Sequence, residues 1–174
     1  MTKSNLVLIG MPGVGKSTVG VVLAKHLGLN FIDTDLLIQA RAGLRLQQII
    51  DRQGLEHFLE LEEQVIVALN EKQSVIATGG SVIYSPPAMA ALRRNGHLIY
   101  LKISLPQLRQ RLDDMTERGV VIEKNQSFAD LYASRTRLYQ QYAELTVDCD
   151  NQTADQVVQR VERAIAQTSG ALFP

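Results

Sequence analysis

The stretch Gly10-Met11-Pro12-Gly13-Val14-Gly15-Lys16-Ser17 fits G-x-x-x-x-G-K-[ST] at every fixed position, and Thr18 continues it. Residue type and spacing here specify a chemistry. Glycines let the main chain wrap closely around phosphate oxygens, so that successive N–H groups point inward. A helix opening at Lys16 adds its positive end to the same anion. Lys16, read as a solvent-facing loop end, is expected to reach the β- and γ-phosphates of a nucleotide. Ser17 is expected to put its hydroxyl on Mg²⁺. The competing reading is a plain glycine turn entering a helix, with Lys16 merely exposed.

Nucleotide binding alone does not separate a kinase from a switch or a mechanical ATPase. Three further features bear on the reaction. Asp33 and Asp35 stand two residues apart after Phe31-Ile32. At the carboxyl end of a strand they would face the ligand crevice, one serving a metal and one an acceptor hydroxyl. Capping of the next helix by Thr34 or Asp35 explains the same residues as well. Gly79-Gly80 follows a short apolar run and would let a substrate approach the main chain, although a turn also uses such a pair. Arginines recur late in the chain, at Arg109, Arg111, Arg118, Arg135 and Arg137. Phosphoryl transfer needs cations around the equatorial oxygens, and Arg118, in a polar segment, suits a closing loop.

These residues need a scaffold that brings several strand ends together. Leu6–Ile9, Phe31-Ile32, Val75–Ala77, Leu98–Leu101 and Leu145–Val147 are short apolar runs, as a parallel sheet covered on both faces requires. Ser17–Leu27, Leu44–Asn70, Pro86–Asn95, Leu105–Leu112, Ser127–Ala143 and Ala154–Gln167 read as helices. Gly28 would stop the first and Thr153 would cap the last. The pattern predicts one doubly wound α/β domain over residues 1–174. Two segments fit the alternation poorly, residues 34–61 and the polar stretch 113–126. The chain has 174 residues, 45% of them hydrophobic, with 18 basic and 18 acidic side chains. The balanced charge argues against a chain-wide nucleic-acid or membrane footprint. The single cysteine, Cys149, excludes an intramolecular disulfide and reads as a small packed residue. His26, His57 and His97 lack metal-ligand spacing. Leu61, Val65, Leu69, Tyr139 and Tyr142 read as packing residues. The composition is that of a cytoplasmic globular protein.

The sequence resembles the shikimate kinases, within the nucleoside-monophosphate-kinase-like group of P-loop proteins. The likeness runs from Asn5 to about Gln167. It is carried by the phosphate loop, Phe31–Asp35, Gly54–Glu62, Ala77–Gly80, Arg118 and Arg135-Thr-Arg-Leu-Tyr139. It implies a five-stranded parallel sheet with helices on both faces, a helical acceptor-binding insert at about 34–61 and a lid at about 113–126. It implies a monomer that uses ATP and Mg²⁺ to phosphorylate a small hydroxy-acid. Gly13, Val14, Gly15, Lys16, Ser17 and Thr18 would hold the phosphates, and Arg111 would lie on the adenine. Ser17 and Asp33 would serve the metal. Asp35 would hold the acceptor hydroxyl, Gly79 and Gly80 would line its site, Arg135 would bind its carboxylate, and Arg118 would be the lid arginine. Three positions depart from the family pattern. The insert's F-R-x-x-E reads Phe58-Leu59-Glu60-Leu61-Glu62, a triple glycine reads Gly79-Gly80-Ser81, and the lid's R-P-L-L reads Arg118-Gly119-Val120-Val121. Leucine cannot pair with a carboxylate, and a lost charge-assisted hydrogen bond costs roughly 1.5–3 kcal/mol unless Arg41 or Arg45 replaces it. Shikimate is thus the first-choice acceptor. Gluconate or an amino-acid alcohol, or a non-catalytic ATP-binding regulator, are the alternatives.

Overall fold

A computed structural model describes residues 3–113 and 127–168. Strands β1 (Asn5–Ile9), β2 (Asn30–Asp33), β3 (Ser74–Ala77), β4 (Gly96–Lys102) and β5 (Leu145–Asp148) form one sheet in the order β2-β3-β1-β4-β5. Every pairing is parallel, with Val7 opposite both Ile76 and Leu98 in the centre. All five residues of β1 are buried. A central strand buried throughout must be covered on both faces, which explains its unbroken apolar run. Helices α1 (Lys16–Leu27) and α8 (Ala154–Thr168) pack on each other, as do α4 (Leu55–Val67) and α5 (Pro86–Asn95). Helices α6 (Leu105–Asp113) and α7 (Phe128–Tyr142) complete the cover, with α7 against β4. The predicted caps form. Gly28 closes α1 in the left-handed conformation, and Thr153 Oγ1 accepts from the Gln156 N–H of α8. Cys149 is buried in the main core.

Between β2 and β3 lie α2 (Thr34–Ala42), α3 (Leu46–Gln53) and α4. The single helix expected over 44–70 is therefore two helices. They are separated by Gly54, whose φ of +89° and ψ of 162° leave the helical region. Apolar periodicity continues across the break because both helices face one small core. Ile38, Ile49, Phe58 and Val65 form that core, a cluster distinct from the one under the sheet, with Leu61 packed against it. Leu69 instead packs on the main core. The expected lid over 113–126, with Arg118 and Gly119, lies outside the described residues apart from Asp113 at the end of α6.

Candidate active site

The phosphate loop runs from the end of β1 to the start of α1. Gly13 and Gly15 take positive φ, 84° and 105°, a curvature that side-chain-bearing residues resist. Lys16 is not the exposed loop end expected from sequence. It is 8% exposed, because its Nζ donates to the carbonyls of Gly10 at 2.8 Å and Met11 at 2.9 Å. The cation is thus held across the inside of the loop. Ser17 and Thr18 are exposed at the first turn of α1.

Asp33 ends β2 and does two jobs. Its Oδ1 accepts from the Asp35 N–H at 3.0 Å, capping α2, and its Oδ2 accepts from Ser17 Oγ at 2.7 Å. The cap is therefore Asp33, not Thr34 or Asp35, because only Asp33 keeps the extended backbone of an N-cap residue. Thr34 is instead buried, its Oγ1 accepting from the Gly79 N–H at 3.2 Å. This bond pins the start of α2 to the loop after β3. Ser17 Oγ and Asp33 Oδ2 present two hard oxygen donors side by side. That fits Mg²⁺, which takes few protein ligands and fills its octahedron with water and phosphate oxygens. No cluster of three acidic, histidine or cysteine ligands occurs among the described residues.

The second half of the site gathers around Gly79-Gly80. A Cβ on Gly79 would collide with Glu62 Oε1 and lie 2.9 Å from Asp35 Oδ1. A Cβ on Gly80 would lie 2.8 Å from Pro12 Cδ and 3.1 Å from Arg135 Nη1. Two carboxylates, a guanidinium and the phosphate loop thus converge on main chain that only glycine leaves bare. Arg135 is 1% exposed. Its Nε donates to the Tyr84 hydroxyl at 3.1 Å, and its guanidinium carbon stands 5.3 Å from the centre of the Tyr84 ring. Tyr139, one turn along α7, donates its hydroxyl to the Gly80 carbonyl at 2.7 Å, so this packing residue also braces the glycine loop. Arg109 and Arg137 are exposed.

Two residues not assigned from sequence belong to this half. Glu62 on α4 is 2% exposed, and its Oε2 accepts from Ser81 Oγ at 2.8 Å. Burial pushes its carboxyl up to about 7. The Ser81 hydrogen bond opposes the rise, Asp35 adds to it, and the Arg135 and Lys16 charges pull the other way. Glu62 is the last residue of the Phe58–Glu62 element, four positions after the buried Phe58, and that helical spacing was the signal for its burial.

A cleft of about 310 Å³ opens along α4, lined by Glu56, Leu59, Glu60, Glu62, Glu63, Gln64, Ser81, Tyr84 and Ser85. Leu59 forms part of its wall, and neither Arg41 nor Arg45 does. Arg41 Nη2 donates to Gln64 Oε1 at 3.3 Å, and Arg45 is exposed at the start of α3. At the nucleotide end, Arg111 bridges two loops. Its Nη1 donates to the Val14 carbonyl at 2.9 Å and its Nη2 to the Cys149 carbonyl at 3.4 Å. The structure therefore brings Lys16, Ser17, Asp33 and Arg111 to the phosphate loop, and Asp35, Gly79, Gly80 and Arg135 to a site beside it.

The same fold recurs in known proteins. The family model described as shikimate kinase matches residues 12–166. A shikimate kinase from Xylella fastidiosa is 39% identical over 150 residues, covering 84% of this chain and 83% of its own. One from Caldanaerobacter subterraneus is 34% identical over 169 residues, covering 95% and 98%. The structure of the Acinetobacter baumannii shikimate kinase in complex with shikimate superposes with a TM-score of 0.87 at 29% identity, covering 97% of this chain and 96% of that one. A gluconokinase from Sinorhizobium meliloti, at 16% identity and a TM-score of 0.55, shares the fold. The match over most of the chain and the identity to these relatives settle its kinship: this chain belongs to the shikimate kinase family.

Proposed function

We propose that the protein transfers the γ-phosphoryl group of ATP to a hydroxyl of shikimate, giving shikimate 3-phosphate for aromatic amino-acid biosynthesis. The observation that carries this reading is the convergence of Asp35 and Arg135 on Gly79-Gly80, next to the phosphate loop. A hydroxy-acid needs a base at its hydroxyl and a cation at its carboxylate, and one crevice offers both. Lys16 and the loop N–H groups, including those of Gly13, Val14, Gly15 and Thr18, hold the phosphates, and Arg111 supports the adenine end. Ser17 and Asp33 hold Mg²⁺, which when bound neutralises charge on the phosphoryl oxygens. Asp35 accepts the proton of the attacking hydroxyl. Arg135 fixes the acceptor's carboxylate, and Arg118 joins the phosphoryl group from the lid.

We assign the activity to a single chain acting in the cytoplasm. Among the described residues no helix is long and apolar enough to cross a membrane. One observation favours a second acceptor. Leu59 and four glutamates line the cleft, and among the described residues no basic side chain does, which suits a less acidic hydroxylated molecule. ADP release measured with ATP-Mg²⁺ against a panel of shikimate, gluconate and amino-acid alcohols decides between them. Release that depends on shikimate supports the proposal. Release that depends only on another alcohol replaces the acceptor, and release with none rejects the kinase.

A further inference from the structure

Glu62 sits between the groups read as holding the acceptor, and its two oxygens have different surroundings. Ser81 donates to Oε2 at 2.8 Å. Oε1 is buried, has no hydrogen-bond donor among the described residues, and fills the space that a Cβ on Gly79 would need. Asp35 Oδ1 lies 2.9 Å from that same Cβ position. Glu62 Oε1, which has no donor among the described residues, therefore faces a second carboxylate. An ionised Glu62 would be costly there, since burial and a like charge both disfavour the charged form. The groups that face it are Asp35 from α2, Lys16 from α1, and Arg135 with the neutral phenol of Tyr139 from α7. The two cations do not outweigh the burial, which leaves its carboxyl raised to about 7.

We propose that Glu62 is a positioning residue that works in its acid form: Ser81 fixes Oε2, Oε1 carries the proton, and that proton faces Asp35 across Gly79 and keeps the Asp35 carboxylate aimed at the acceptor hydroxyl. The proposal rests on the reading of Asp35 as the acceptor-side acid. It assigns Ser81, which stands where the family pattern has a third glycine, the job of orienting the acid. No proton leaves Glu62 during transfer. Its loss at higher pH puts two like charges on one glycine and spoils the base's alignment.

Two measurements test this. The first is the pH profile of kcat and KM for shikimate in the wild type, Glu62→Gln and Ser81→Ala. The second is a titration of the side-chain carboxyls in ¹³C-glutamate-labelled protein without substrate, with Glu62 assigned by its loss in Glu62→Gln. The wild type is expected to lose kcat/KM by about tenfold per pH unit above neutrality. Glu62→Gln, whose amide still donates, keeps acceptor-dependent turnover at a reduced rate and loses that alkaline limb. Ser81→Ala moves the limb to higher pH, because the serine hydrogen bond favours the ionised form. A Glu62 resonance that titrates at the ordinary carboxylate value of 4.5 overturns the proposal whatever the activity, as does a Glu62→Gln profile that keeps the limb. A wild type that phosphorylates no shikimate refutes the functional reading instead. The titration then decides the state of Glu62 alone, and it needs no refolded variant other than the one used for assignment.

Discussion

Leu59→Arg tests the acceptor assignment at the position where the chain departs from its family. Leu59 is half-buried in the wall of the α4 cleft and packs on the Ile38–Phe58 cluster. An arginine there keeps an aliphatic stem for that contact and carries its charge into the cleft, so the loss of stability stays near about 1 kcal/mol. A new hydrogen-bonded pair with the acceptor's carboxylate is worth roughly 1.5–3 kcal/mol. Glu56 and Glu63, three residues before and four after on the same helix, compete for the guanidinium at about 0.2–0.5 kcal/mol each. The net gain is then roughly 1–2 kcal/mol, a five- to thirtyfold lower KM for shikimate at saturating ATP. Initial rates of shikimate-dependent ADP release at varied shikimate measure it directly. If KM is unchanged or higher in a folded variant that still binds ATP, the acceptor's carboxylate does not visit this wall. The less acidic acceptor then becomes the better reading, and leucine is its apolar contact.

Lys16→Ala should lower turnover by about 10²–10³ as a phosphate cation is lost. The fold should survive, since the Gly10 and Met11 carbonyls lose one donor worth about 1 kcal/mol each; near-normal phosphotransfer would overturn the loop assignment. Asp35→Asn should abolish most acceptor-dependent turnover and leave nucleotide affinity largely intact. Asp33→Asn should raise the Mg²⁺ requirement with little loss of stability, because asparagine caps as well as aspartate; titrations of ATP and Mg²⁺ against both variants separate the two roles. Gly79→Ala should raise the acceptor KM while ATP binding stays unchanged, because its Cβ would displace the Glu62 and Asp35 oxygens; unaltered acceptor kinetics would show that this glycine does not line the site. Glu62, raised from 4.5 to about 7 in the folded protein, binds its proton more tightly folded than unfolded. Urea unfolding should therefore show wild-type stability falling relative to Glu62→Gln by about 3 kcal/mol between pH 4.5 and 7, with no further relative change above. A constant difference across that range would place the Glu62 pKa at its ordinary value.

The phosphate loop was legible because its chemistry is made by contiguous main chain, so eight residues in a row specify it. The sheet was legible because each buried strand is a short apolar run, and the expected and observed strands differ by one or two residues at their ends. Gly54 does not announce a break, since an isolated glycine inside an apolar helical pattern is tolerated and only its φ reveals the corner. The acceptor side was legible only in parts. Asp35 and Arg135 stand in local motifs, whereas the Ser81–Glu62 hydrogen bond joins a loop to a helix nineteen residues away. Neither residue announces that bond, because it exists only once α4 has docked on α5 and the turn at Val82–Tyr84. The burial of Lys16 is hidden in the same way, because it depends on the curl of the loop it belongs to.

The separate apolar cluster beneath α2, α3 and α4 gives the two halves of the site different mechanical lives. Nucleotide contacts, Gly79-Gly80 and Arg135 are anchored on the large core under the sheet, whereas Asp35, Leu59 and Glu62 ride on helices that pack around the small one. A substitution such as Phe58→Ala would loosen the acceptor platform through a partial opening and leave the phosphate loop standing. Changes on the two sides should also combine additively where the residues are far apart. The small cluster can therefore change in shape without disturbing the phosphate loop beside it. Hydrogen exchange would see this as two protection levels within one chain, with the lower one covering α2, α3 and α4.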